Sequence, residues 1–185
     1  MHLAGFHIFV CMNQFSVSRA VQDDIPALVG LINSAYRGES SKAGWTTEAD
    51  LIEGEIRTDS QNLKNDMANP DSVLLAVRAE TGGPILGCVY LQKRKNRLYL
   101  GMLSVSPALQ SRGIGKQLLD AAEEHARLSK CDRIFMTVIS VRQELIQWYE
   151  KHGYGKTGET APFPDERKFG IPRQPLEFLV LEKEV

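Results

Sequence analysis

Apolar and polar residues alternate along Phe15-Ser16-Val17-Ser18 with the period of two that marks a half-buried strand. The period then changes. Asp23-Asp24-Ile25-Pro26 offers a helix cap with proline in the first turn, and Leu28, Leu31, Ile32 and Ala35 keep the i, i+3, i+4, i+7 spacing of a helix that buries one face. Gly38 is expected to end that helix. The residues from Gly38 to Gly44 are small and polar, Thr46-Thr47-Glu48 predicts the start of a short helix, and a more polar helix follows toward Asn69-Pro70.

Three runs of β-formers come next, at 71–77, 85–91 and 98–105, separated by Thr81-Gly82-Gly83-Pro84 and by the charged stretch Lys93 to Arg97. They predict an antiparallel meander. Pro107 stops the third strand. Gly113-Ile114-Gly115 then leads into a helix with Ile114, Leu118, Ala122 and Ala126 inward and Glu123 set to pair with Arg127 outward. Ile134 to Ile139 is an unbroken apolar run, as expected of a central strand covered on both faces. A further helix spans Arg142 to His152, and Gly153 is placed to adopt the left-handed conformation that closes it. Tyr154 begins a strand, Ala161 to Pro175 is a proline-rich loop, and Leu176 to Leu181 is a last strand. This order describes one mixed α/β sheet flanked by helices.

Composition narrows the function classes. With 43% apolar and 24% charged residues the chain is that of an ordinary globular domain, and 185 residues suit a single core. Twenty-two basic and 23 acidic side chains leave a net charge of −1, so no general field draws the chain to nucleic acid or to an anionic membrane. Cys11, Cys88 and Cys131 are odd in number and widely spaced, which suggests neither a disulfide framework nor a zinc knuckle and fits a cytoplasmic location. His2, His7, His125 and His152 lack metal-ligand spacing, so no metal is expected. Residues 1–14 are read as an N-terminal extension, too short to cross a bilayer and without the basic start of a signal peptide, and 15–185 as the single domain.

The chemistry gathers at the glycine turn. Main-chain amides from about Arg112 to Lys116, at the positive end of the following helix, can converge on a phosphate, although a lone Gly-x-Gly is also what an ordinary tight loop shows. A Walker loop would need glycine at Gln110 and Ser or Thr at Gln117. A dinucleotide fingerprint would need glycine at Leu118. Neither fits.

Leu103-Ser104-Val105-Ser106-Pro107 followed by Gln110-x-x-Gly113-x-Gly115 resembles the acetyl-CoA signature of the GNAT acetyltransferases, and Trp148-Tyr149-Glu150-Lys151-His152-Gly153-Tyr154 is similar to that family's later tyrosine segment. The resemblance implies the GNAT (acyl-CoA N-acyltransferase) fold, with a mixed, mostly antiparallel sheet splayed between its fourth and fifth strands, 98–105 and 134–139. It implies acetyl transfer from acetyl-CoA to a primary amine by direct attack in a ternary complex. It assigns Leu103, Ser104, Val105, Gln110, Ser111, Arg112, Gly113, Ile114, Gly115 and Lys116 to the coenzyme and Tyr149 to the general acid. Arg142 stands where an asparagine is common, and the strand at 97–105 lacks the glutamate that several members use as a base. Glu39 and Glu48 are the candidates for that role, and Phe163 and Phe169 are candidates for a lid. The acceptor is expected to be a small-molecule amine, with protein lysine or N-terminal amines as an alternative. A non-catalytic acyl-CoA-binding sensor is the rival from another class. The resemblance also allows a homodimer.

Overall fold

The computed structural model describes residues 15–164 and 167–185, so the N-terminal extension, with His2, His7 and Cys11, lies outside the described residues. The described chain opens with β1 (Ser16–Arg19) and α1 (Ile25–Tyr36), whose apolar stripe is buried as its spacing requires. Asp24 does not cap α1. Its carboxylate accepts from the Val21 amide at 2.8 Å and pairs with Arg78 at 2.6 Å, so it pins the preceding turn to the sheet.

A second short helix, α2 (Gly38–Ser41), follows where an irregular segment was expected. The helix expected at Thr46 does not form. The Glu48 amide donates to the Tyr36 carbonyl at 2.9 Å, the Thr46 hydroxyl to the Ala35 carbonyl at 3.1 Å, and these ties to the end of α1 hold the segment as turns. It leads to β2 (Ile52–Glu53) and to α3 (Ser60–Ala68), where the Asp59 side chain caps the Asn62 amide at 2.8 Å.

The meander is β3 (Ser72–Arg78), β4 (Ile85–Arg94) and β5 (Arg97–Val105), each antiparallel to the one before. Then come α4 (Ile114–Leu128), β6 (Arg133–Ile139), α5 (Gln143–Lys151), β7 (Gly155–Pro162), β8 (Ile171–Pro172) and β9 (Glu177–Glu184). Gly153 takes the left-handed backbone expected of it, with φ +90°. Among the described residues the main sheet has seven strands in the order β1-β3-β4-β5-β6-β9-β7, and β5 and β6 form its parallel pair. The loop from Ala161 to Pro175 is less irregular than its prolines suggest, because β8 pairs antiparallel with β2.

Two cores cover the two faces. Leu74, Ala76, Cys88 and Tyr90 face α1 and α3, while Val73, Leu75, Val77, Val89 and Leu91 face α4 and α5, as alternation along a strand demands. Leu118 of α4 is fully buried in the second core. Leu118→Ala is expected to lower stability by about 2–5 kcal/mol through lost burial and the cavity left behind, measured by urea denaturation.

Candidate active site

The site begins where the sheet comes apart. β5 and β6 pair only at Arg97↔Arg133, Leu98↔Ile134 and Tyr99↔Phe135, after which the two strands diverge. From Leu100 onward the side of β5 turned toward β6 has no strand beside it. Along the other side, the β4–β5 register slips between Cys88/Tyr90, so that Gly101 to Ser104 carries one extra residue. Met102 holds a left-handed backbone there, with φ +47°.

A cleft of about 570 Å³ fills the parting, with Leu103 and Val105 on one wall and Leu145, Trp148 and Tyr149 of α5 on the other. Ser104 turns away from it. Its hydroxyl donates to the Met102 carbonyl at 3.1 Å, so its expected contact with a coenzyme is not through the side chain.

The first turn of α4 forms the mouth of the cleft. Gly113 adopts φ +83° at the N-cap, a conformation costly for any residue with a Cβ, and no side chain caps the helix. Among the described residues, no protein acceptor takes the amides of Ser111 to Lys116. Unpaired amides at a helix start suit a diphosphate. Lys116 pairs with Asp120 at 2.6 Å on the exposed rim, and Arg112 faces a separate groove beside β1 and α4.

Gln110 plays another part. Its side-chain oxygen accepts from the Trp45 amide at 2.8 Å, and its nitrogen donates to the Thr46 hydroxyl at 2.8 Å and to the Val105 carbonyl at 3.2 Å. It therefore ties the loop at 44–48 to the end of β5, and Trp45 and Thr46 line the cleft.

Tyr149 is buried on the floor of the cleft, and none of the described residues hydrogen-bonds its hydroxyl. Burial, reinforced by Tyr36 and Tyr154 nearby, raises its pKa well above the ordinary phenol value, so the group stays protonated. Tyr36 opposite it donates its hydroxyl to the Leu103 carbonyl in the bulge. Cys88 lies behind the bulge with its thiol pushed up to about 12 by burial, which removes it as a nucleophile at neutral pH.

A family model for the acetyltransferase (GNAT) family matches residues 31–154. The chain belongs to that family. GNAT structures share its fold: the PaiA N-acetyltransferase of Thermoplasma acidophilum in complex with coenzyme A (TM-score 0.65, 17% identity, 94% of this chain and 100% of that one), and a Salmonella typhimurium acetyltransferase with acetyl-CoA (0.66, 16%, 93% and 94%). Among curated sequences, a spermine/spermidine N(1)-acetyltransferase of Bacillus subtilis is 32% identical over 72 residues, which is 38% of this chain and 47% of that protein. The chain thus spans about half the length of the curated relatives it matches.

The two glutamates named as candidate GNAT bases sit elsewhere. Glu39 is exposed, pairs with Lys42 at 2.6 Å and borders a different pocket. Glu48 is buried and bound by arginines: Arg37, Arg57 at 3.3 Å and Arg142 at 3.9 Å. Burial alone would raise its pKa, but Arg57 and Arg37 outweigh that and hold it below the usual glutamate range. A carboxylate so held makes a poor proton acceptor. Arg142, at the position where asparagine is common, binds the carbonyls of Thr46 at 3.2 Å and Trp45 at 3.4 Å and pairs with Glu144 at 2.7 Å. Of the two lid candidates, Phe163 packs on Phe178 with ring centroids 5.2 Å apart, and the Phe169 carbonyl accepts from Arg37 at 3.4 Å.

Sequence reasoning did not single out Arg57, and Tyr36, Trp45 and Thr46 entered it only as part of the segment where GNAT proteins often build the acceptor site. Tyr36 ends an amphipathic stripe like any core residue, and the other three lie in a segment without period.

Glu48→Gln leaves the guanidiniums without their shared partner and is expected to cost about 3–5 kcal/mol at pH 7, measured by urea denaturation. The folded pKa is depressed, so the carboxylate's contribution is complete above its unfolded value and is lost as pH falls through the folded one. Wild type and Glu48→Gln should therefore converge in stability on acidification below about pH 4.

Proposed function

We propose that this protein transfers the acetyl group of acetyl-CoA to a primary amine on a small molecule, by direct attack within a ternary complex. The observation that carries the reading is the row of unpartnered amides at Ser111–Lys116, at the mouth of a cleft opened by the parting of β5 and β6. These amides suit the coenzyme's diphosphate, and the cleft wall at Leu103, Val105 and Leu145 suits its apolar arm. The Bacillus subtilis relative, named for polyamine acetylation, supports a small-molecule acceptor.

In this scheme the neutral amine attacks the thioester carbonyl, and main-chain N–H groups at the bulge around Leu103 stabilise the developing oxyanion, a contribution of about 3 kcal/mol per donor. The C–S bond breaks as the C–N bond forms. Tyr149 gives its proton to the departing thiolate and regains one as the amide nitrogen loses its own to water. No acyl-enzyme forms, in keeping with the raised pKa of the Cys88 thiol. Cys88 and Cys131 are both buried and unpaired, which fits a reducing compartment such as the cytoplasm.

Tyr149→Phe is expected to lower kcat by about 10²–10⁴-fold with little change in the KM for acetyl-CoA, read from thiol release in steady state. Unchanged turnover removes the tyrosine from the mechanism. With wild type, kcat/KM should rise with pH toward the acceptor's own pKa, and Tyr149 should add no alkaline fall, because its phenol remains protonated. Acetyl-CoA at a hundred times its Kd should raise the melting temperature by roughly 5–10 °C, while ATP at the same concentration leaves it near its starting value. Equal protection by ATP points to a general anion site instead.

A further inference from the structure

Behind the cleft residues Tyr36, Trp45 and Thr46, the cluster around Glu48 carries more positive charge than the described residues neutralise. Arg37, Arg57 and Arg142 share Glu48, and Glu144 is the second carboxylate paired in the cluster, so among the described residues three guanidiniums face two acids. Tyr36 and Tyr149 are held neutral by burial and offset none of this excess. The three arginines are not equivalent. The Arg37 and Arg142 side chains are 2% and 5% exposed, and each is also bonded to main-chain carbonyls. The Arg57 side chain is 29% exposed and makes one hydrogen bond, through Nη1 to Glu48. Its Nε, like that of Arg37, is buried without an acceptor among the described residues, so exposure is what sets Arg57 apart. An arginine that is both reachable and under-partnered has its main remaining use in binding an anion.

Its place fits that use. The guanidinium stacks on the Tyr36 ring, 4.4 Å from the centroid, and the hydroxyl of the same tyrosine bonds the Leu103 carbonyl in the bulge. Arg57 therefore lies about one aromatic ring from the strand on which the reaction is proposed to occur. We infer that the acceptor is an amine that also carries a carboxylate or equivalent anion, which pairs with Arg57. This rests on the acetyl-transfer reading and names the acceptor class for it. A polyamine, cationic along its whole length, would add charge of the same sign as the under-partnered Arg57.

The test uses matched pairs: phenylalanine with phenethylamine, leucine with isoamylamine, and 4-aminobutyrate with propylamine, alongside spermidine. Thiol release from acetyl-CoA reads turnover. Calorimetric titration of the N-acetylated members into coenzyme A-loaded protein reads binding without turnover. At least one carboxylate-bearing member should exceed its partner by about tenfold or more in kcat/KM, or in Kd for the acetylated product. Arg57→Gln should abolish that preference and Arg57→Lys should keep part of it, and the lysine variant and the wild-type ratio remain decisive if the glutamine variant does not fold. Equal rates and affinities within every pair, a preference for spermidine, or a preference that survives Arg57→Gln overturns the assignment. Selective carboxylate binding lost in Arg57→Gln, with no thiol released by any amine, leaves the anion site standing and removes the acetyl-transfer reading. Transfer to amines without regard to the carboxylate does the reverse.

Discussion

Everything at the site follows from two parallel strands that pair for three residues and then stop. Beyond Tyr99 and Phe135 neither β5 nor β6 can satisfy the other's main chain, and a sheet left in that condition must close with a bulge, admit water or admit a ligand. The extra residue near Met102 shows how β5 meets the demand on its other side, by slipping register with β4 while remaining bonded to it. The same strand runs through Pro107 directly into α4, so the positive end of that helix falls at the mouth of the opening. One backbone decision thus supplies the slot, its exposed polar edge and an anion seat beside it. The side chains refine this arrangement and do not create it.

The loop at 44–48 joins the two ends of that slot. Gln110 holds the Trp45 amide and the Thr46 hydroxyl from the anion turn, and Arg142 holds the carbonyls of the same two residues from the start of α5. Trp45 faces Trp148 with centroids 6.0 Å apart, and Trp148 packs against the first turn of α4 at Gly115. The turn before α4 and the start of α5 are therefore linked through a few bonded neighbours. Departures from a family's usual residue are informative in this setting: an arginine at 142 reads as a loop anchor once its partners are known.

Legibility in the sequence tracked whether a feature is periodic. The stripe at Leu28, Leu31, Ile32 and Ala35, the meander, and the helix opening at Ile114 each repeat a spacing set by local geometry, and each formed within a few residues of its expected bounds. The turn at Gly113 was legible because few residues other than glycine tolerate its backbone. By contrast, Glu48 looked like a helix start because Thr-Thr-Glu is a common cap pattern, and only the ties to the end of α1 and the contacts with Arg37, Arg57 and Arg142 show why the segment remains a turn. β2 and β8 were invisible for a related reason. Each has two residues and no pattern, and they exist because the chain brings them together across more than a hundred positions.

The arginine cluster bears on the step for which no base was found. An amine enters neutral water as an ammonium ion and must lose its proton before it can attack. Once the acceptor's anion pairs with Arg57, three acids stand against three guanidiniums and the cluster exerts no net pull on that proton, so on this reading the neutral minority form of the amine is the one captured. Before that pairing the surplus would repel the incoming cation, which makes a counter-anion on the acceptor useful twice: it offsets the repulsion on entry and occupies the guanidinium that Glu48 only partly satisfies. Glu48 then matters as the group that permits three arginines to be held together, and its depressed pKa is the mark of that duty. Acceptor choice and the stability of the loop that lines the cleft are, on this reading, consequences of an unequal count of charges among the described residues.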